Sequence, residues 1–275
     1  MLALCFTLLT VLVTGSLAVL NGDPAAPHQF PYHVGLYWKS KIPVPILKAP
    51  YYCGGAVVSD KWVLTAAHCV RKYGQMVVKA GKHVFDQEEA SEQVRYVVRH
   101  VTHPNYKRPI ISKRLIPQND LAMLEVDSPF IFNGYVDVAQ VSGASSDYDS
   151  GSLAGWGSNG INYIPTFPKE LHYNKYLPVE VNLTCAEAIN DAFFGIEFSP
   201  VEISSNQTCT GPVGENIGAC ILDGGSALVN KKNKKYVIIG VVSWSHLLCG
   251  TIGTPTVYTR IGAYSGWVNA VMESS

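Results

Sequence analysis

Charge is what this sequence has least of. Asp, Glu, Lys and Arg supply only 15% of its residues, against roughly 25% in ordinary globular proteins. The 21 basic and 21 acidic side chains cancel, so no overall field draws the chain to nucleic acid or to an anionic membrane, and neither is expected as a partner. Long apolar runs are equally scarce. The one that exists, MLALCFTLLTVLVTGSLA over residues 1–18, falls short of the ~20 residues that a membrane span needs. It is uncharged and closes on Ser16 and Ala18, small residues that suit both recognition positions of a signal peptidase. We read it as a secretory signal, with the mature, extracellular chain running from Val19 to Ser275. Fixed-period repeats and low-complexity tracts are missing too, which excludes solenoids and disordered linkers.

What is present favours a turn-rich β protein. Hydrophobic residues make up 47% of the chain, enough for a sizeable core, and they come with 24 Gly, 16 Pro and 15 Tyr. The runs GAVVSDKWVLTAA, QMVVKAG, QVRYVVRHVTH, LAMLEVD, YVIIGVVSW and TVYTRI are short, β-branched or aromatic, and bounded by turn residues, so they predict strands. Only Ala263 to Met272 reads as a helix, with Tyr264, Trp267, Val268 and Val271 on one face. Lys39 to Tyr52, with Pro43, Pro45 and Pro50, and Lys107 to Gln118 read as inserted loops. Asn230 to Lys235 reads as a solvated hairpin carrying four lysines. Loss of the leader removes Cys5 and leaves six cysteines, Cys53, Cys69, Cys185, Cys209, Cys220 and Cys249, an even set that suits disulfides in a secreted chain. Asn182-Leu-Thr and Asn206-Gln-Thr are candidate glycan acceptors.

Two stretches carry chemistry. Cys53-Gly-Gly-Ala-Val-Val-Ser-Asp-Lys-Trp-Val-Leu-Thr-Ala-Ala-His68-Cys69 reads as strand, hairpin and strand ending in a histidine beside a cysteine. A disulfide across so short a loop is worth roughly 3 kcal/mol and would hold the imidazole in place. Asn119-Asp120-Leu-Ala-Met-Leu sets an acid at the head of an apolar run, suited to a buried carboxylate that orients the imidazole. With Gln29-Phe-Pro-Tyr32, His103-Pro104-Asn105-Tyr106, Gly155-Trp156-Gly157, Val242-Ser243-Trp244 and Val257-Tyr258-Thr259-Arg260 in register, the chain from Val19 onward resembles the trypsin/chymotrypsin family of serine proteases. Its NGDPAAPHQFPYHVGL start is similar to secreted arthropod members.

The resemblance implies an all-β fold of two antiparallel six-stranded β-barrels packed face to face, with the active site between them and a C-terminal α-helix. The first barrel would take about residues 19–135 and the second barrel with the helix about 136–275. It also implies disulfides Cys53–Cys69, Cys185–Cys209 and Cys220–Cys249, and a catalytic pair His68 and Asp120 with Ser243 bonded to the acid. A salt bridge would join the Val19 amine to Asp223. No metal or cofactor is implied.

The chain departs from the family where the nucleophile belongs. The family pattern is Cys, any residue, Gly, Asp, Ser, Gly, Gly, Pro; here it reads Cys220-Ile221-Leu222-Asp223-Gly224-Gly225-Ser226-Ala227. Gly224 therefore stands at the nucleophile position and has nothing to attack a carbonyl with. Ser226 is no substitute, because two extended residues carry it ~6–7 Å along the chain and a base must touch its nucleophile. Leu222 replaces the glycine whose N–H, with that of residue 224, forms the oxyanion hole; its side chain either turns that peptide or fills the leaving-group side. In the pocket, Gly218 replaces the aspartate of trypsin-like enzymes, while Ser245 and Thr256 narrow the walls toward small apolar residues.

These departures imply a non-catalytic serine protease homologue that works by binding proteins such as proteases, inhibitors or cascade zymogens. It is expected to act as a monomer, in haemolymph, saliva or venom, with the two inserted loops as its recognition surface. The alternative is an active or weakly active secreted serine endopeptidase with a small-residue pocket. No basic residue precedes Val19, so an activator of trypsin-like specificity has nothing to cut, and signal cleavage itself would free the Val19 amine.

Overall fold

In a computed structural model, residues 19–40, 51–109, 116–144, 148–158, 167–180, 182–192, 201–211, 217–245 and 253–274 are described. The leader, the inner parts of both inserted loops and Cys249 lie outside them. Strand β1 is Asp23–Pro24, followed by β2 (His33–Lys39), β3 (Tyr51–Val57), β4 (Trp62–Thr65), β5 (Gln75–Ala80), β6 (Gln93–Thr102) and β7 (Ala122–Val126). Strands β2 to β7 close into a barrel in the order β2-β3-β4-β7-β6-β5. The second half supplies β8 (Gln140–Val141), β9 (Ser150–Gly155), β10 (His172–Glu180), β11 (Gln207–Thr210), β12 (Ala227–Lys232), β13 (Lys235–Trp244) and β14 (Thr256–Arg260). There β9 pairs with both β10 and β12, which closes a second six-stranded ring, and β1 and β8 attach at its sides. The two-barrel fold expected from the sequence is therefore the fold of this chain.

The short β-branched and aromatic runs suit this arrangement, because strands such as β3 and β4 are buried along their whole length between the barrel interior and the layer packed outside it. Val34, Leu36, Val63, Leu64, Val78, Met123 and Leu124 fill the first barrel and belong to one apolar cluster that extends into the second through Trp156, Val229 and Val241. The lysine hairpin turns at Asn233 and Lys234, both with positive φ (51° and 64°), the geometry of a tight two-residue connection.

The chain ends cross over between the barrels. Residues 19–24, read from the sequence as the start of the first barrel, pair instead with the second: Asp23 and Pro24 face Tyr173 and His172, and Leu20 bridges Gly218. At the other end, a helical turn (Ile261–Tyr264) leads into α2, Ser265–Glu273, and Tyr264 and Trp267 pack on His103 at the end of β6. A further helix, α1 (Asn182–Ala192), was not foreseen. Its apolar stripe is too narrow to register in the sequence, since only Cys185 and Ile189 are buried along it. Among the described residues no helix is long and apolar enough to cross a membrane.

Candidate active site

His68 sits on a single helical turn, Ala67–Cys69, directly after β4. The Cys53–Cys69 disulfide ties that turn to β3, as expected. Asp120 lies just before β7 and is completely buried. Its Oδ1 accepts the His68 backbone N–H at 2.9 Å, and its Oδ2 takes both His68 Nδ1 and the Ser243 hydroxyl at 2.7 Å. The backbone is clamped as well, with the Thr259 hydroxyl donating to the Asp120 carbonyl at 2.9 Å. Asn119 takes up φ +52° just before it, and Tyr264 donates to the Asn119 side chain at 2.7 Å. An ionised carboxylate only accepts, so the imidazole proton sits on Nδ1 and Nε2 presents its lone pair.

That lone pair meets a bare α-carbon. A Cβ on Gly224 would lie 2.5 Å from His68 Nε2 and 3.1 Å from Cε1. Position 224 therefore faces the base as a nucleophile position should, and the ring occupies space that a side chain there would need. Ser226 is elsewhere: its hydroxyl is fully buried and lies 2.1 Å from where a Cβ on Gly54 would be. It makes no hydrogen bond to His68 or to any other described group.

Leu222 does not turn the oxyanion peptide. The Ile221 carbonyl accepts a hydrogen bond from Ser158 N–H at 2.8 Å, and in a trans peptide the Leu222 N–H then points the opposite way. Among the described residues neither Leu222 N–H nor Gly224 N–H has a backbone acceptor. The peptide geometry holds Leu222 at φ +75°, a left-handed conformation that costs a leucine ~1–2 kcal/mol. Its side chain instead lines a groove of about 840 Å³ with Tyr37, Tyr51, Phe85 and Phe167.

The pocket floor is closed by Thr256. Its Oγ1 accepts the Ala219 N–H at 3.0 Å and lies 2.6 Å from where a Cβ on Gly218 would be, so only glycine, at φ +142°, fits opposite it. Ser245 is half-buried, and residues 246–252 lie outside the described ones.

Behind the site, Asp223 is fully buried and accepts backbone N–H groups from Gly157 at 2.9 Å and Cys220 at 3.0 Å. The glycines around Trp156 leave it room: a Cβ on Gly157 would lie 2.3 Å from its carboxyl carbon. Among the described residues no cationic side chain pairs with it. Burial, only partly offset by those two hydrogen bonds, pushes its pKa up from 3.8 to about 7. Val19 is fully buried beside it; a Cβ on Gly155 would lie 2.1 Å from Asp223 Oδ1 and 3.5 Å from Val19 Cγ2. The segment that begins at Val19 is thus packed against the same glycine that flanks this carboxylate.

The remaining sites divide. Cys185–Cys209 forms and pins α1 to β11. Cys220 is disulfide-bonded, and its expected partner, Cys249, lies outside the described residues. Asn206 is exposed and its side chain bonds Tyr264, while the Asn182 amide donates to the Ser204 carbonyl at 2.9 Å. Cys53, His68 and Cys69 form a compact donor group, but both sulfurs are spent in the disulfide, so the cluster fits no metal. Lys107 and Gln118 exchange backbone hydrogen bonds at 3.0 and 3.2 Å and close the base of the second inserted loop.

Sequence reasoning missed one buried pair. Lys82 donates to Glu92 and, at 2.5 Å, to the Gln87 carbonyl, and so staples the turn between β5 and β6. A lysine directly after β5 with a run of acids ahead of β6 was the available signal. Compared with known protein families, the chain matches the family model described as Trypsin over residues 19–268.

Proposed function

The chain belongs to the trypsin family, and from that premise we propose that it is a secreted, non-catalytic member that acts by binding other proteins. One observation carries the reading: the base, correctly oriented by Asp120 and Ser243, faces Gly224. Without a side chain at that position no acyl-enzyme forms. The oxyanion peptide and inserted N-terminal segment keep the form of a working site, so the loss is confined to the attacking group and to the space filled by Leu222. Proteases, inhibitors and zymogens of a proteolytic cascade are the partners that such a scaffold suits. The protein is a monomer in this reading, with the exposed Asn206 as the glycan acceptor.

The second reading, hydrolysis with water activated by the His68–Asp120 pair, has the intact pair in its favour. Two measurements separate them. Purified mature protein should take no label from a fluorophosphonate probe and should cleave no trypsin, chymotrypsin or elastase peptide substrate above blank. Stoichiometric labelling of any serine refutes the non-catalytic reading. Turnover that is abolished by His68→Ala without labelling establishes the water mechanism.

A further inference from the structure

We propose that the groove beside His68 is a docking site for an acidic segment of a partner protein. The groove is lined by Trp38, Tyr52, Val70, Arg71, Lys72, Tyr73 and Arg108 and has a volume of about 460 Å³, within the range of pockets that enclose a few side chains. It starts at Val70, two residues past the base, so it deepens the binding role proposed above and rests on it.

Charge separates this groove from the rest of an electrically neutral chain. Among the described residues, three of its lining side chains are cations and none is an acid. No Asp or Glu occurs anywhere in residues 24–59, 61–85 or 93–119, the three stretches that supply the lining. By contrast, the neighbouring groove at Leu222 mixes Lys39, Lys79 and Lys82 with Asp86 and Glu88, and Lys79 and Lys82 are already paired with Glu92.

The cations are presented on rings. The Arg71 guanidinium lies 4.7 Å above the Tyr52 ring, which fixes its plane and leaves its N–H edges free to take a carboxylate in the two-bond mode. Arg108 bonds the Tyr106 hydroxyl with part of its fork, and the fork has five N–H groups to give. Trp38 spends its N–H on the Tyr73 carbonyl at 2.7 Å, so it offers the groove an apolar face. Tyr73 is 84% exposed, an amphipathic ring of the kind that interfaces recruit.

Carboxylates for the cations and an aromatic or aliphatic side chain for the rings together describe an acidic peptide segment with an apolar residue in it. A sulfated glycan fits less well. It needs a continuous basic track, whereas these cations share one short groove, and the four-lysine hairpin belongs to the second barrel. No amide or carboxylate side chain lines the groove to hold sugar hydroxyls.

The test is a fluorescence-anisotropy titration of the mature protein with three fluorescein-labelled probes: the peptide DEEFEE, its uncharged counterpart NQQFQQ, and a heparin oligosaccharide. The acidic peptide should bind at low ionic strength at least about tenfold more tightly than the neutral one, and weaken as salt rises. Arg71→Glu with Lys72→Glu should weaken it by a further order of magnitude, about tenfold or more. Lys231→Glu with Lys232→Glu should leave it unchanged. If the first pair disturbs folding, seen as a shifted thermal melt, Lys72→Glu with Arg108→Glu replaces it. Equal affinity for both peptides, or binding indifferent to both groove pairs, overturns the proposal. Tighter binding of heparin that the groove pairs abolish overturns it in favour of a polyanion site. Fluorophosphonate labelling would refute the non-catalytic reading and leave this titration interpretable, whereas loss of peptide binding leaves that reading standing.

Discussion

A single extra residue ahead of Val19 should destabilise the domain in a pH-dependent way. With the Val19 amine free, a cation stands beside the buried Asp223 carboxylate; with the amine capped by another residue, the carboxylate has only two N–H donors. In that capped form the Asp223 pKa is about 7, against 3.8 for an unburied aspartate. The folded-state value is raised, so the protonated carboxyl favours the fold. That stability is complete below about pH 4 and is lost as pH climbs through about 7. A rise of this size, at ~1.4 kcal/mol per tenfold change in the ionisation constant, is worth about 4 kcal/mol. For a domain of this length, that is about 8–16 °C in Tm. The assay is differential scanning fluorimetry of two preparations, one starting at Val19 and one with Gly added before it, at pH 5 and pH 8. The Tm gap between them should be wide at pH 8 and small at pH 5, and hydrogen exchange of residues 218–226 should quicken only in the extended form. Superimposable melts at both pH values would refute the ion pair. A secreted protein whose first residue is other than Val19 would refute the account of how the amine is freed.

Four shorter predictions follow from the same geometry. Gly224→Ser alone should recover little hydrolysis and Gly224→Ser with Leu222→Gly clearly more, with a preference for small side chains because of Thr256; equal rates would show Leu222 to be harmless. Glu92→Gln should cost about 3–5 kcal/mol by leaving the Lys82 ammonium buried and unpaired, with much of the Tm recovered by adding Lys82→Met. His33, whose pKa burial pushes down to about 3, contributes stability that is complete above about pH 6.5 and is lost as pH falls; His33→Phe, whose ring would keep the tilted packing against Trp156, should therefore flatten the acid side of a Tm–pH profile, and an unchanged slope would discount it. His68→Ala should lower Tm by an amount matching a lost donor to a buried carboxylate, ~1–3 kcal/mol.

The strands and the site were legible in the sequence for different reasons. The run YVIIGVVSW is short, continuously apolar, rich in β-branched residues and bounded by turn residues, which suits a strand buried on both faces, so β13 fell where its composition put it. The frame of the site was legible because a few spacings are rigid: the cysteine beside His68, the acid at the head of an apolar run, the two glycines around Trp156. What stayed hidden depends on contacts across long separations. Nothing near residue 19 indicates that it crosses to the second barrel, because the strand that receives it, β10, begins at His172. Nor does composition reveal α1, which two buried residues anchor. The left-handed Leu222 was equally invisible, since its φ is set by the Ser158–Ile221 hydrogen bond and the neighbouring Asp223 turn rather than by leucine's own preferences.

The His68–Asp120 pair has a physical reason to persist that needs no catalysis. Asp120 has no solvent exposure, and a buried carboxylate is tolerable only while donors surround it. Three such donors are the His68 backbone, the His68 ring and the Ser243 hydroxyl. Each comes from an element that also joins the barrels or closes the disulfide loop, so removing any one exposes the fold to the full cost of an under-bonded charge. Position 224 carries no comparable obligation. Its side chain would project toward the ring and contribute no bond to Asp120, and its backbone duty, accepting the Gly54 N–H at 2.8 Å, is met by glycine as well as by serine. The triad is thus asymmetric in what it costs to lose a member: the acid and base are load-sharing parts of the interface between barrels, while the nucleophile is attached to it. A chain released from catalysis can drop the serine and keep everything that presents its cleft.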